Sequence, residues 1–303
     1  MKRIALTLFL LAILYGAGFV FGRSRAARLE RASTQLPVFV DNGFRPTSYP
    51  LEYRSFVIVM IAHNNGAFIE KSLASIFSQH YPHYRMIYID DGSTDGSASL
   101  AGDLIASSGQ KELVTFIRHP EQSGELAHLS SIVREIDDQD IVVWLGGKDQ
   151  LAHVWALTHL NAYYVNPELW LTYGQYLEMP GYRLGKSAPF ERAEWETKGF
   201  RGHPFVSSHL KTFYAGLFQQ IDPADFTYQG AFLSSAVEEA VMIPLLELAK
   251  DHFQFIPDVL CLAHKGPLSV EEMELFLRAE RYVRSLASYE PLPFLFSRGF
   301  IDE

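Results

Sequence analysis

From residue 55 onward, short unbroken apolar runs alternate with stretches whose apolar residues return every three or four positions. Phe56 through Ile61 are consecutively apolar and end in the polar run His63, Asn64 and Asn65. A run of that kind predicts a strand buried on both faces and closed by a loop. Phe68, Ile69, Leu73, Ile76 and Phe77 then fall on one helical face. A second strand is predicted over 85–89, running into Asp90, Asp91, Gly92, Ser93, Thr94 and Asp95. A short helix over 97–107, a strand over 113–118 and a helix marked by Leu126, Leu129, Val133 and Ile136 follow. The fourth strand, 140–145, ends in Gly146, Gly147, Lys148 and Asp149, before a helix over 152–164 and a strand over 169–176. Such alternation predicts an α/β domain with a mainly parallel sheet.

The pattern weakens between residues 179 and 205, where glycine, proline and charged residues cluster, which predicts a mobile loop. Residues 210–218 and 236–250 have helical spacing, and 253–262 read as a strand. Ser269 followed by Glu272 fits a capping box. Met273, Phe276, Leu277, Val283 and Leu286 then form one face of a last helix. Upstream, Pro37, Pro46 and Pro50 mark an extended linker. Residues 4–21 are 18 consecutive uncharged residues, and as a helix they would rise ~27 Å, about the hydrocarbon thickness of a bilayer. No small-x-small site precedes the arginines that follow, which favours an uncleaved anchor over a signal peptide. Two basic residues precede this stretch and four arginines follow it, so the positive-inside rule places the larger part of the chain in the cytoplasm. The expected organisation is an anchor over 1–22, a linker over 23–54, a main domain over 55–265 and a C-terminal helix and tail over 266–303.

Composition adds exclusions. The 303 residues are 48% hydrophobic and 20% charged, which suits a globular chain. Six basic residues and Glu30 give the first 31 positions a charge of +5, so of the net -9 the remainder carries -14. An acidic body argues against nucleic acid as a partner, because phosphate neutralisation needs clustered Lys and Arg. The one cysteine, Cys261, excludes an intrachain disulfide. His153 and His159, like His203 and His209, are six apart and off a shared helical face. Trp144, Trp155 and Trp170 read as core.

Open α/β sheets bind ligands beyond the carboxyl ends of their strands. The runs ending in His63-Asn64-Asn65 and Asp90-Asp91-Gly92-Ser93-Thr94-Asp95 closely resemble the opening of family-2 glycosyltransferases, whose fold is called GT-A. Residues 170–176, 209–215 and 238–247 are similar to the same family, so the likeness spans roughly 55–264. It implies a GT-A, Rossmann-like, mainly parallel sheet flanked by helices, here preceded by one transmembrane helix. It further implies transfer of a sugar from a nucleoside-diphosphate donor to a hydroxyl, with inversion; the expected anchor alone adds that the acceptor is a lipid-linked or envelope glycan precursor near the membrane.

By the same resemblance, Asp91 accepts from the N3–H of a uracil-type base, and Asp90 orients that loop or contacts the ribose. His63 and Asn64 stand on the donor side with them. The family usually carries Asp-Gly-Asp-Asp at the end of its fourth strand, holding Mn²⁺ or Mg²⁺ against the diphosphate. Here those positions are Gly146, Gly147, Lys148 and Asp149, which leaves Asp149 a weak metal candidate, since hard cations need several oxygen ligands. Lys148 either neutralises the leaving diphosphate itself, its ammonium worth about 1–4 kcal/mol at ~4 Å, or is a solvated surface residue. Lys211 either approaches the diphosphate or is a solvated helix residue. Glu238 falls where the family places its catalytic base, normally Asp, with Glu239 as the fallback. The competing expectation is an inactive homologue that binds nucleotide or scaffolds a partner at the membrane.

Overall fold

The apolar run becomes strand β1 (Phe56–Ala62), buried along its whole length. The computed structural model describes residues 52–264, 266 and 268–296. The apolar stretch 4–21, and with it the expected anchor, lies outside the described residues. Among these residues no helix is long and apolar enough to cross a membrane.

β1 pairs in parallel with β2 (Tyr84–Asp91) on one side and β4 (Ile141–Gly146) on the other, and β3 (Val114–His119) extends the sheet beyond β2. Helices α1 (Ile69–Phe77), α2 (Ser97–Ser107) and α3 (Glu125–Val133) lie between successive strands in the chain. β1, β2 and β4 are buried almost throughout, as strands of a covered parallel sheet are, and only the edge strand β3 is half-exposed.

The second half of the sheet is mixed. After β5 (Gln150–Leu151) and α4 (Ala156–Tyr164), β6 (Leu171–Glu178) carries the two-residue strand β7 (Arg183–Leu184) at its side. Helix α5 (Arg192–Gly202) precedes β8 (Lys211–Tyr214) and the short helix α6 (Ala215–Phe218). A small hairpin, β9 (Thr227–Tyr228) with β10 (Ala231–Phe232), leads to α7 (Val237–Ala249), β11 (Phe253–Ala263) and α8 (Val270–Ser285). The sheet runs β3-β2-β1-β4-β8-β6-β11-β5. Because β8 is antiparallel to both β4 and β6, and β5 to β11, the sheet is parallel only in its first four strands and at β6–β11.

Four expectations are corrected here. Residues 211–214 are a strand, since Lys-Thr-Phe-Tyr fills the gap between β4 and β6 and pairs with both, and only Ala215–Phe218 are helical. The segment 179–205 contains β7 and α5, held because Trp195 and Phe200 stack 5.0 Å apart beside Phe253 and Arg201 pairs with buried Glu247 at 2.8 Å. Trp155 is 55% exposed, its ring meeting His80 edge-on at the surface, while Trp144 and Trp170 are core. On α8 only Ala279 and Val283 are buried, and Met273 and Leu277 face outward. The capping box forms as the spacing predicts: Ser269 Oγ accepts from the Glu272 N–H at 3.1 Å, and Glu272 accepts from the Ser269 N–H at 2.7 Å.

Candidate active site

Register sets the carboxyl ends of β1, β2 and β4 side by side, with Ala62 opposite Asp90 and Ile61 opposite Gly146. The loops that follow are joined by side chains. Asn64 Oδ1 accepts from the N–H groups of Thr94 (2.8 Å) and Asp95 (3.3 Å), and the Asn64 N–H donates to Ser93 Oγ (2.9 Å). Its φ of 49° lies in the left-handed region that asparagine tolerates. His63 donates from Nδ1 to the Asp91 carbonyl at 2.7 Å, and Asn65 Nδ2 donates to the Gly147 carbonyl at 2.6 Å.

Asp91 is 2% exposed and its carboxylate is engaged inside the fold. Oδ1 accepts from the Ser123 N–H (2.6 Å) and meets His128 Nε2 (2.7 Å), while Oδ2 accepts from the Gly124 N–H (2.9 Å). Burial alone would raise its pKa, but these three donors together outweigh it and hold the carboxyl below its ordinary range. Gly92 lies so close to the same segment that a Cβ there would stand 2.6 Å from the Gln122 nitrogen. The carboxylate therefore faces residues 121–124 and gathers that segment. Asp90 is fully buried and accepts from the Ser93 N–H at 3.3 Å, so it orients its own loop.

The hollow lies one strand away. A cavity of about 260 Å³ opens at the ends of β1 and β4, bordered by His63, Asn65, Lys148, Asp149, Lys211 and Glu238, together with Glu125, His209 and His264. Four of these, Glu125, His209, His264 and Asn65, were not singled out by the sequence pattern. His209 stood in a six-residue spacing that argued nothing and at the head of the similar run 209–215, and nothing in the pattern marked Glu125.

Strand pairing puts Lys211 beside Trp144 at the end of β4, which corrects the expectation of a solvated helix residue. The side chain is 3% exposed, with Nζ 4.1 Å from the Trp144 ring centre and 2.9 Å from Glu238 Oε1. Burial pulls its pKa down, yet Glu238, Glu125 and Asp149 together pull harder, and Lys211 stays charged above its ordinary range. Trp144 also donates from Nε1 to Glu125 Oε1 at 2.9 Å. Burial raises the Glu125 pKa despite Lys211 and that bond. Ser208 Oγ donates to Glu238 Oε2 at 3.0 Å and lies 2.8 Å from His209 Nδ1, whose Nε2 meets Asp149 Oδ2 at 3.1 Å. Asp149, Ser208, His209, Lys211 and Glu238 thus form one connected polar network.

Mn²⁺ or Mg²⁺, the ions the family resemblance implies, do not fit this donor set. Asp149 Oδ1 accepts from the His264 N–H (3.1 Å) and Oδ2 is taken by His209. Burial would raise its pKa, but His209 and these bonds lower it below the usual range. Among the described residues no group of three or more His, Cys, Asp or Glu is placed to hold a metal ion. Lys148 is exposed at the turn, its ammonium 5.8 Å from the Phe68 ring centre.

Glu238 also borders a second, larger space. A cleft of about 720 Å³ runs from Glu238 and Glu239 along Phe205, Val237, Leu268, Met273 and Phe276. Glu239 is 6% exposed, and burial raises its pKa to about 7.

The sequence profile described as Glycosyl transferase family 2 matches residues 57–213, more than half of the chain. No curated protein matches the sequence. Among solved structures, that of S. aureus TarS 1-349 in complex with UDP-GlcNAc has a TM-score of 0.56 at 13% identity, covering 78% of this chain and 68% of that one. A further S. aureus TarS structure has a TM-score of 0.55 at 15% identity, covering 76% of this chain but 39% of that one. This chain therefore spans about two fifths of the latter. The structure of glucosyl-3-phosphoglycerate synthase from Mycobacterium tuberculosis with Mn²⁺, UDP and phosphoglyceric acid has a TM-score of 0.51 at 15% identity, covering 78% of this chain and 80% of that one. At such identities the likeness speaks for the fold alone.

Proposed function

Because the chain belongs to glycosyl transferase family 2, we propose that it moves a sugar from a nucleoside-diphosphate donor to a hydroxyl of an amphipathic acceptor. The observation that carries this reading is the position of Glu238, whose side chain borders both the polar cavity and the apolar cleft. The donor diphosphate enters the polar side, toward Lys148. The acceptor lies in the apolar cleft with its hydroxyl at Glu238. The hydroxyl oxygen bonds to the sugar's anomeric carbon as the carbon–oxygen bond to the diphosphate breaks, and Glu238 takes the hydroxyl proton. Attack from the face opposite the leaving group inverts the anomeric centre.

A uridine donor is supported by the TarS and glucosyl-3-phosphoglycerate synthase structures, which hold UDP-GlcNAc and UDP. Base recognition falls to the rim around His63 and Asn64. Asp91 acts there through the 121–124 segment that it gathers. The acceptor class rests on the apolar walls of the cleft and on the exposed apolar residues Leu268, Val270, Met273 and Leu277 beside it. A lipid-linked glycan precursor meets that description, and an anchor over residues 4–21 would hold the enzyme beside it.

The test is release of UDP or GDP from UDP- and GDP-linked sugars in the presence of a detergent-solubilised lipid extract. Glu238→Gln keeps the size and the Lys211 hydrogen bond but accepts no proton. It should leave nucleotide affinity within about twofold and slow release by about 10²–10⁴-fold. Turnover equal to the wild type would remove Glu238 from the reaction.

A further inference from the structure

We infer that Lys211 is a resident cation standing where this family uses a divalent metal, and that the donor diphosphate binds through Lys148 without one. The inference rests on the donor reading above and deepens it. Three observations carry it.

As the turn after β4 stands, it has no room for one of the missing carboxylates, the one at position 146. A Cβ on Gly146 would stand 2.7 Å from Asp149 Oδ2, because the Asp149 side chain folds back over that position. A Cβ on Gly147 would stand 2.7 Å from Ala62 Cβ and 2.9 Å from the Ile61 carbonyl oxygen. Gly147 holds the place of the motif's own glycine, so the carboxylates absent from this turn are those of positions 146 and 148.

The remaining acidic groups already have a cation. The Lys211 ammonium bonds Glu238 at 2.9 Å and sits among Glu125 and Asp149, shielded from water by the Trp144 ring at 4.1 Å. A divalent ion entering here would have to displace that ammonium from Glu238 and His209 from Asp149. It would also need oxygen ligands that the turn does not offer.

An exposed cation stands at the mouth. Lys148 is exposed, lines the cavity and pairs with no carboxylate among the described residues. An ammonium there supplies a point charge to phosphate oxygens, as lysine does in other phosphate sites.

The division of labour is then specific. Lys211 balances the carboxylates and sets the position of Glu238, while Lys148 meets the diphosphate as it binds and leaves.

Calorimetric titration of UDP and of GDP into the full chain tests this, once with excess Mn²⁺ and once with excess EDTA. The wild type should bind one of the two nucleotides with affinities that agree within about twofold between the media. Lys148→Ala, a change at an exposed position, should weaken binding about tenfold in both. Mn²⁺ titrated alone into the wild type should give no signal, because Lys211 holds Glu238 and His209 holds Asp149. Nucleotide affinity that falls tenfold or more in EDTA overturns the inference while leaving the donor reading standing. A Lys148→Ala protein with unchanged affinity, or a wild type that binds Mn²⁺ alone, overturns it too. Binding of neither nucleotide in either medium removes the donor reading and this inference together.

Discussion

Glu239 couples the fold to pH at the scale of a single residue. Its carboxyl is buried beside Glu238, and desolvation raises its pKa from 4.5 to about 7. The folded state therefore favours the neutral acid. The stability this confers is complete below about pH 4.5 and is lost as the pH rises through 7. Glu239→Gln, neutral at every pH, should match the wild type near pH 4 and exceed it at pH 8 by on the order of 1–3 kcal/mol in denaturant unfolding. Two curves that run parallel from pH 4 to pH 8 would show that Glu239 ionises freely in the native protein. Residue types were only partly legible before the fold was known. Asp91 carried the expected motif, yet its carboxylate serves the 121–124 segment, because a short acidic run looks the same whether it faces a ligand or a neighbouring loop. Lys211 read either as a diphosphate contact or as a solvated helix residue, since nothing local marks a lysine that strand pairing will bury.

The turn after β4 decides the chemistry at the scale of the element. β1, β2 and β4 were legible as unbroken apolar runs, because strands covered on both faces leave no polar alternation. The polar ends of these strands then followed in register. β8 was not legible: Lys-Thr-Phe-Tyr is too short to show a period, and its strand character comes from the pairing edges of β4 and β6. Helix α5 was hidden in the same way, since it is held by Trp195, Phe200 and Arg201 docking on distant residues. The turn itself yields an expectation. Gly147→Ala forces its Cβ against Ala62 and the Ile61 carbonyl, backbone neighbours that cannot swing aside. It should cost about 1–3 kcal/mol of stability in a thermal or denaturant melt and should weaken nucleotide binding. A melt unchanged from the wild type would mean that the β1 and β4 ends are not packed as described.

The whole molecule joins two spaces of opposite character at one carboxylate. The parallel half of the sheet supplies the polar cavity at the ends of β1 and β4, and the mixed half supplies Lys211 and His209. Helices α7 and α8 wall the apolar cleft with Val237, Met273 and Phe276. The family profile covers residues 57–213 and so stops before Glu238 and before the α7 and α8 walls of the cleft. On the proposed reading this cavity holds the donor diphosphate through Lys148, with Lys211 kept on Glu238. A crystal structure grown with Mn²⁺ and whichever of UDP or GDP binds, with anomalous data for manganese, tests it most directly. The account predicts the diphosphate within hydrogen-bonding distance of Lys148, Lys211 still paired with Glu238, and no manganese peak in the cavity. A manganese peak at Asp149, or a nucleotide seated elsewhere on the surface, would contradict it.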